Sequence, residues 1–306
     1  MLDKFMPDLS VDLGPLKLEN PVLAASGTFG YGLEYLPFVD LDRLGGFSTK
    51  GLSLRPKAGN PVPRMIETES GMLNAIGLEN IGLEKFLAEK LPLLHRFRAR
   101  IIVNFFGQTE GEYAEMAAAL SEAERLDALE MNISCPNVEH GGQLFCSSPE
   151  RVASVVSATR ARTSKPLIVK LAPNVQDIGE IARAAESAGA DALSVANTYV
   201  GMSIDLEKQE PYLANKTGGL SGQAIKPLSL YLVYQTAKAV NIPVIGVGGI
   251  ACAEDALEYL MAGAKAVQIG TANFLDPAVT MKTLAGIEDY CRSHQLAKIA
   301  DLKTIA

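Results

Sequence analysis

Cysteine and histidine are scarce in this 306-residue chain, and long apolar runs and basic runs are missing altogether. The four cysteines, Cys135, Cys146, Cys252 and Cys291, form no Cys-x-x-Cys pair. Their scatter argues against a zinc site or an iron–sulfur cluster held by this chain alone, and no metal site is expected. Free thiols suit a reducing compartment. The three histidines, His95, His140 and His294, lie in helical patterns or a loop and give no Ser–His–Asp order. The absence of any run of 18 apolar residues argues against a membrane span. Met1–Asp8 lacks the basic and then apolar regions of a signal peptide, so a cytoplasmic protein is expected. The net charge is −7, the pI is about 5.2, and no Lys/Arg-rich run occurs. That balance argues against a nucleic-acid partner.

What the chain does have is enough apolar residue for a large core: 48% are hydrophobic and 21% charged. Eight short β-rich segments recur, at 21–26, 46–50, 100–106, 128–134, 166–171, 192–197, 243–247 and 266–270. They read as continuous apolar runs, which suits strands buried on both faces of a parallel sheet. Helical spacing lies between them, as in Leu83, Phe86, Leu87, Leu91 and Leu94, or Tyr113, Met116, Ala117, Leu120 and Ala123. Gly189 and Gly263 stand where helices should end, in the similar segments 188–192 and 262–266. Repeating βα units predict an α/β fold, a (β/α)8 TIM barrel forming a single domain over residues 1–306. A doubly wound open sheet is the runner-up. Residues 1–20 are expected to form a hairpin closing the barrel's bottom. The insertions 52–82 and 199–222 are expected to build loops at the C-terminal face, where barrel active sites lie.

Polar groups stand at the predicted strand ends: Ser26, Lys50, Asn104, Asn132 to Cys135, Lys170, Asn197 with Thr198, Gly248 with Gly249, and Gly270 with Thr271. Glycine turns after the last two strands are the usual phosphate cradle of barrels. Lys170 ends the apolar run 167–171 and must face the mouth or bear a desolvation cost. A cation fixed there would stabilise negative charge on a reduced flavin ring. Cys135 follows a strand, precedes Pro136 and has Asn132 and Asn137 on either side. That setting suits a thiol that removes a proton from a polar ring. Asn74, with Asn132, Asn137 and Asn197, could satisfy the edges of a ring bearing amide N–H and C=O groups.

At these residues the chain resembles the class 1 dihydroorotate dehydrogenases. The resemblance runs from about Leu9 to Leu275. It is carried in order by Ser48-Thr49-Lys50-Gly51, Asn74-Ala75-Ile76-Gly77-Leu78, Asn132-Ile133-Ser134-Cys135-Pro136-Asn137, Ile168-Val169-Lys170-Leu171, Asn197-Thr198, the segment 215–222 and the two glycine turns. It implies that FMN contacts Ser26, Lys50, Gly51, Asn104, Asn132, Lys170, Ala196, Gly222, Gly248, Gly249, Gly270 and Thr271. Dihydroorotate would contact Lys50, Asn74, Ala75, Ile76, Gly77, Leu78, Asn132, Asn137, Asn197 and Thr198, with Cys135 as the base. Class 2 relatives carry serine there. The Asn74–Leu78 run and the pair Gly141-Gly142 resemble class 1B. That subclass implies a homodimer within a heterotetramer, a partner subunit carrying FAD and a [2Fe–2S] cluster, and NAD⁺ as final acceptor. Cys146, in place of a small residue, and Ala196, in place of a bulkier aliphatic one, depart from the family pattern. The rival readings are a fumarate-dependent class 1A enzyme, a dihydropyrimidine dehydrogenase-like subunit and a non-enzymatic flavin-binding module.

Overall fold

The computed structural model describes residues 6–134 and 145–306. Eight parallel strands close into a barrel in chain order: β1 (Val22–Ala24), β2 (Gly46–Ser48), β3 (Arg100–Phe105), β4 (Ala128–Asn132), β5 (Leu167–Lys170), β6 (Ala192–Val195), β7 (Val244–Val247) and β8 (Ala266–Ile269). Each falls within an apolar run picked out from the sequence, and closure between β8 and β1 rules out the open sheet. Helices follow the strands, among them Glu110–Ser121, Pro149–Arg160, Ile178–Ser187, Lys226–Ala239, Ala253–Met261 and Val279–Ser293. Local chemistry sets their ends. The side chains of Thr109, Ser148 and Asp177 accept from backbone N–H groups of the first turns, satisfying donors that have no partner within the helix. Gly189 (φ 102°) and Gly263 (φ 104°) end their helices in the left-handed region, as expected. The pattern from Leu83 to Leu94 is helical but contains a widened turn, Phe86–Lys90, just before Pro92, a residue with no N–H to give.

Strand alternation sorts the core into two faces. Val22, Phe47, Val103, Leu129, Val169 and Val267 point outward beneath the helices. Leu23, Ile102, Ala128, Ile168, Ala192, Ile245 and Ala266 fill the bottom of the barrel interior. Leu13, Leu16 and Leu18 pack onto that inner layer from the antiparallel hairpin Val11–Leu13 and Leu16–Leu18, which closes the N-terminal end. The hairpin is pinned at the rim, where Arg100 Nε donates to the Lys17 carbonyl at 2.9 Å.

At the other end the two insertions meet. Tyr199–Met202, Thr217–Ser221, Gly71–Asn74 and Met65–Thr68 form one four-stranded antiparallel sheet at the mouth. No helix among the described residues is long and apolar enough to cross a membrane.

Candidate functional site

Counting upward by two along the inward face leads from the core to the mouth. Two positions above Ile102, Ala128, Ala192 and Ala266 stand Asn104, Glu130, Ser194 and Gln268, and two above Gly46 stands Ser48; all five are fully buried. They form one network. Asn104 Nδ2 and Gln268 Nε2 donate to the two oxygens of Glu130, each at 2.6 Å. Gln268 Nε2 also donates to Ser48 Oγ at 3.0 Å, and Ser194 Oγ donates to Gln268 Oε1 at 3.3 Å. Glu130, Ser194 and Gln268 have no reading in the sequence, where single polar residues sit inside otherwise apolar runs.

Two positions higher again stand Lys50, Asn132, Ala196 and Gly270, and Lys170, two above Ile168, joins them at the mouth. Asn132 and Lys170 are direct neighbours across β4 and β5. Lys170 is 5% exposed, yet its ammonium forms no hydrogen bond or ion pair with any described residue. Asn104 has spent its amide N–H on Glu130, and its buried Oδ1 accepts nothing. That oxygen is turned toward Gly51, where an added Cβ would come within 2.9 Å of it. A buried acceptor without a donor and, across the intervening strand β4, a buried cation without an anion among the described residues fit a bound group that presents an N–H or O–H and gathers negative charge.

The amide cluster is continuous. Tyr113 donates to the Asn132 carbonyl at 2.7 Å, fixing the end of β4. Ser134 Oγ donates to Asn132 Oδ1 at 2.6 Å and accepts from Asn197 Nδ2. Asn197 Oδ1 takes the Thr198 N–H at 2.8 Å. Thr198 packs on Gly219, whose carbonyl accepts from Asn74 Nδ2 at 3.4 Å. So Asn74, Asn132, Asn197 and Thr198 come together, and Asn74 ends a strand of the mouth sheet. Ser134 is the linking residue that sequence reasoning left without a role; a polar residue two positions past Asn132 was the available signal. Cys135, Asn137 and Gly141-Gly142 lie outside the described residues.

The glycines gather on the opposite side of the mouth. Gly248 (φ 130°) and Gly249 (φ 71°) turn beside Lys226 and Ser229, and side chains added there would strike both. Thr271 Oγ1 donates to Ser221 Oγ at 2.7 Å, drawing Gly270 and Gly222 together. Ala25 N donates to the Ile269 carbonyl at 2.8 Å, which brings Ser26 alongside. Close-set glycine backbone of this kind suits a phosphate. Tyr259 supports the turn from below: its hydroxyl donates to the Gly248 carbonyl at 2.6 Å, and burial raises its pKa. Ala196 is buried, follows a cis peptide bond from Val195, and donates its N–H to the Val247 carbonyl. Of the other cysteines, Cys146 and Cys291 are buried. Cys252 is exposed at a helix N-cap, where lost hydration around its sulfur, with Glu254 and Asp255 beside it, pushes its thiol up to about 11. A thiol so disposed is a poor nucleophile at neutral pH.

Residues 8–290 match the family model described as dihydroorotate dehydrogenase. The chain is similar to proteins named dihydroorotate dehydrogenase B (NAD(+)), catalytic subunit. It is 56% identical to that of Trichlorobacter lovleyi, 55% to that of Geobacter metallireducens and 54% to that of Pelobacter propionicus. Each comparison covers 97% of this chain and 97% of the relative.

Proposed function

The chain belongs to the dihydroorotate dehydrogenase family, and from that premise we propose that it is the catalytic subunit of an NAD-linked enzyme oxidising dihydroorotate to orotate in pyrimidine biosynthesis. Residues 1–306 would form one FMN-binding domain in the cytoplasm. The observation that supports the cofactor is that the donorless Asn104 Oδ1 and the buried Lys170 ammonium, which has no partner among the described residues, lie at the same end of the barrel as the glycine turns. FMN would be held by Ser26, Lys50, Gly51, Asn104, Asn132, Lys170, Ala196, Gly222, Gly248, Gly249, Gly270 and Thr271. When bound, it supplies the acceptor for the hydride that leaves C6 of the substrate.

The protein side of the reaction is binding, orientation and one proton transfer. Lys50 pairs with the substrate carboxylate. Asn74, Asn132, Asn137 and Asn197 hold the ring's amide edges, with Thr198 and the Asn74–Leu78 run closing around it. Cys135, as thiolate, takes the proton from C5, whose acidity comes from the neighbouring carbonyl. Lys170 fixes positive charge where hydride transfer delivers negative charge. Electrons then leave through a partner subunit carrying FAD and a [2Fe–2S] cluster, in a heterotetramer built on a homodimer of this chain.

The test is anaerobic stopped-flow reduction of the FMN-loaded chain. Dihydroorotate should bleach the flavin, dihydrouracil should not, and fumarate should not reoxidise it. NAD⁺ should be reduced only when the partner subunit is added. Rapid bleaching by dihydrouracil, reoxidation by fumarate, or NAD⁺ reduction by the lone chain would each overturn the corresponding part.

A further inference from the structure

Between Ala75 and Leu78 the backbone is divided by function. The carbonyl of Ala75 accepts from Asn60 Nδ2 at 2.9 Å, and that of Ile76 accepts from Asn60 N at 2.9 Å. The Leu78 carbonyl accepts from Asn80 Nδ2 at 2.9 Å. The N–H groups of Ile76, Gly77 and Leu78 donate to no described residue. Successive backbone donors, left over while their acceptors are tied down behind them, make a concavity for an anion. Gly77 (φ 76°) and Leu78 (φ 59°) both lie in the left-handed region. The fit to Asn60 is close, because a Cβ on Gly77 would stand 2.5 Å from the Asn60 backbone nitrogen and Cγ.

We infer that Asn60, by drawing the Ala75 and Ile76 carbonyls to one side of the loop, is a positioning residue that turns the N–H groups of Ile76, Gly77 and Leu78 toward the substrate carboxylate. The inference rests on the dihydroorotate reading. Asn60 reaches the loop only from behind, through its backbone N–H and its amide nitrogen, so it acts on the substrate through the loop. An asparagine suits this place because one residue supplies two donors at the spacing of two consecutive carbonyls. Aspartate, nearly the same in shape, would set an oxygen against the Ala75 carbonyl and push the loop out of line. The selectivity follows from charge: three oriented N–H dipoles favour a carboxylate over a neutral group of the same size.

The experiment compares Asn60→Asp and Asn60→Ala with wild type, all loaded with FMN. Readouts are KM and kcat for dihydroorotate, and the dissociation constants of orotate and of its methyl ester, read from the flavin absorbance. Both variants should raise KM and weaken orotate binding roughly 10- to 100-fold, with kcat changed less than about threefold. Binding of the ester should change little. Unchanged orotate binding in either folded variant overturns the inference. So does an equal loss for orotate and ester, or a fall in kcat without a rise in KM, since each marks a general structural role. A measurement on wild type stands apart from variant folding. Orotate should slow amide hydrogen exchange at Ile76, Gly77 and Leu78 and the ester should not; unaltered exchange overturns the inference. If wild type itself is not reduced by dihydroorotate, the functional reading has failed instead, and that outcome is separable because it appears before any variant is made.

Discussion

The hydroxyl of Tyr259 lies 2.6 Å from the carbonyl oxygen of Gly248, beneath the glycine turn that follows β7. The ring fits there because Gly246 has no side chain; a Cβ on Gly246 would come within 2.4 Å of Tyr259 Cδ1. Thus two glycines two residues apart do different work. Gly246 makes room for a buried ring, and the hydroxyl of that ring fixes the carbonyl of Gly248.

Tyr259→Phe therefore keeps the packing and removes only the donor. The apoprotein should fold, losing about 1 kcal/mol of stability, the usual worth of one internal hydrogen bond. Its affinity for FMN should fall roughly 2- to 10-fold. Flavin fluorescence quenching on titration of the apoprotein measures this, and affinity equal to wild type would remove Tyr259 from the cradle.

Glu130 sits at the centre of the barrel with amide donors on both oxygens. Glu130→Leu would leave Asn104 Nδ2 buried without an acceptor and Gln268 Nε2 with Ser48 Oγ alone, at a cost of about 1–3 kcal/mol. Glu130→Gln keeps one acceptor oxygen and should lie between the two. Denaturant unfolding of the three apoproteins should give that order. A leucine variant as stable as wild type would mean the network contributes nothing net.

Cys135→Ala should retain bound, yellow FMN yet be reduced by dihydroorotate about 10²–10⁴ times more slowly, the usual contribution of a positioned base. Serine at the same position should restore part of the rate only as pH rises, because its hydroxyl ionises far less readily. Wild-type-like bleaching in the alanine variant would assign the base elsewhere.

Lys226 joins Asp255 and Glu258 below the same glycine turn. Burial works against the charged form of Asp255, but hydrogen bonds from Lys226 and the Ala251 N–H outweigh it and hold the pKa below 3.8. A carboxyl lowered in the folded state adds stability above its unfolded pKa of about 3.9, and that addition is lost as pH falls through the folded value. Wild type should accordingly melt above Asp255→Asn at neutral pH, with the gap closing below about pH 4. A gap independent of pH would assign the difference to packing.

Much of the barrel was legible because strands covered on both faces have to be apolar throughout, so β1 to β8 stood out as runs without alternation. The mouth was legible for the complementary reason. Lys50, Asn132 and Lys170 are polar residues ending such runs, where only a cavity can solvate them. The layer beneath was harder to see. Glu130 and Gln268 each interrupt an apolar run once, and only counting back two positions from Asn132 and Gly270 identifies them as inward-facing. The pairing of the two insertions was not legible at all, since Gly219 opposite Asn74 joins segments 145 residues apart through backbone bonds that any sequence could make. Asn60 is hidden for the same reason. Nothing local tells a loop asparagine that makes its own turn from one reaching 15 residues ahead to Ala75.

The hairpin of Leu13, Leu16 and Leu18 has a consequence for traffic. Leucine stoppers the far end of the barrel, so a molecule held by Lys50, Asn132 and Lys170 would come and go on the mouth side. Under the proposed reaction substrate would arrive and product depart on that one side, so the two would take turns. In that reaction orotate and dihydroorotate would also share one binding place, so added orotate should slow flavin reduction by dihydroorotate, and each turnover would release one before taking the next.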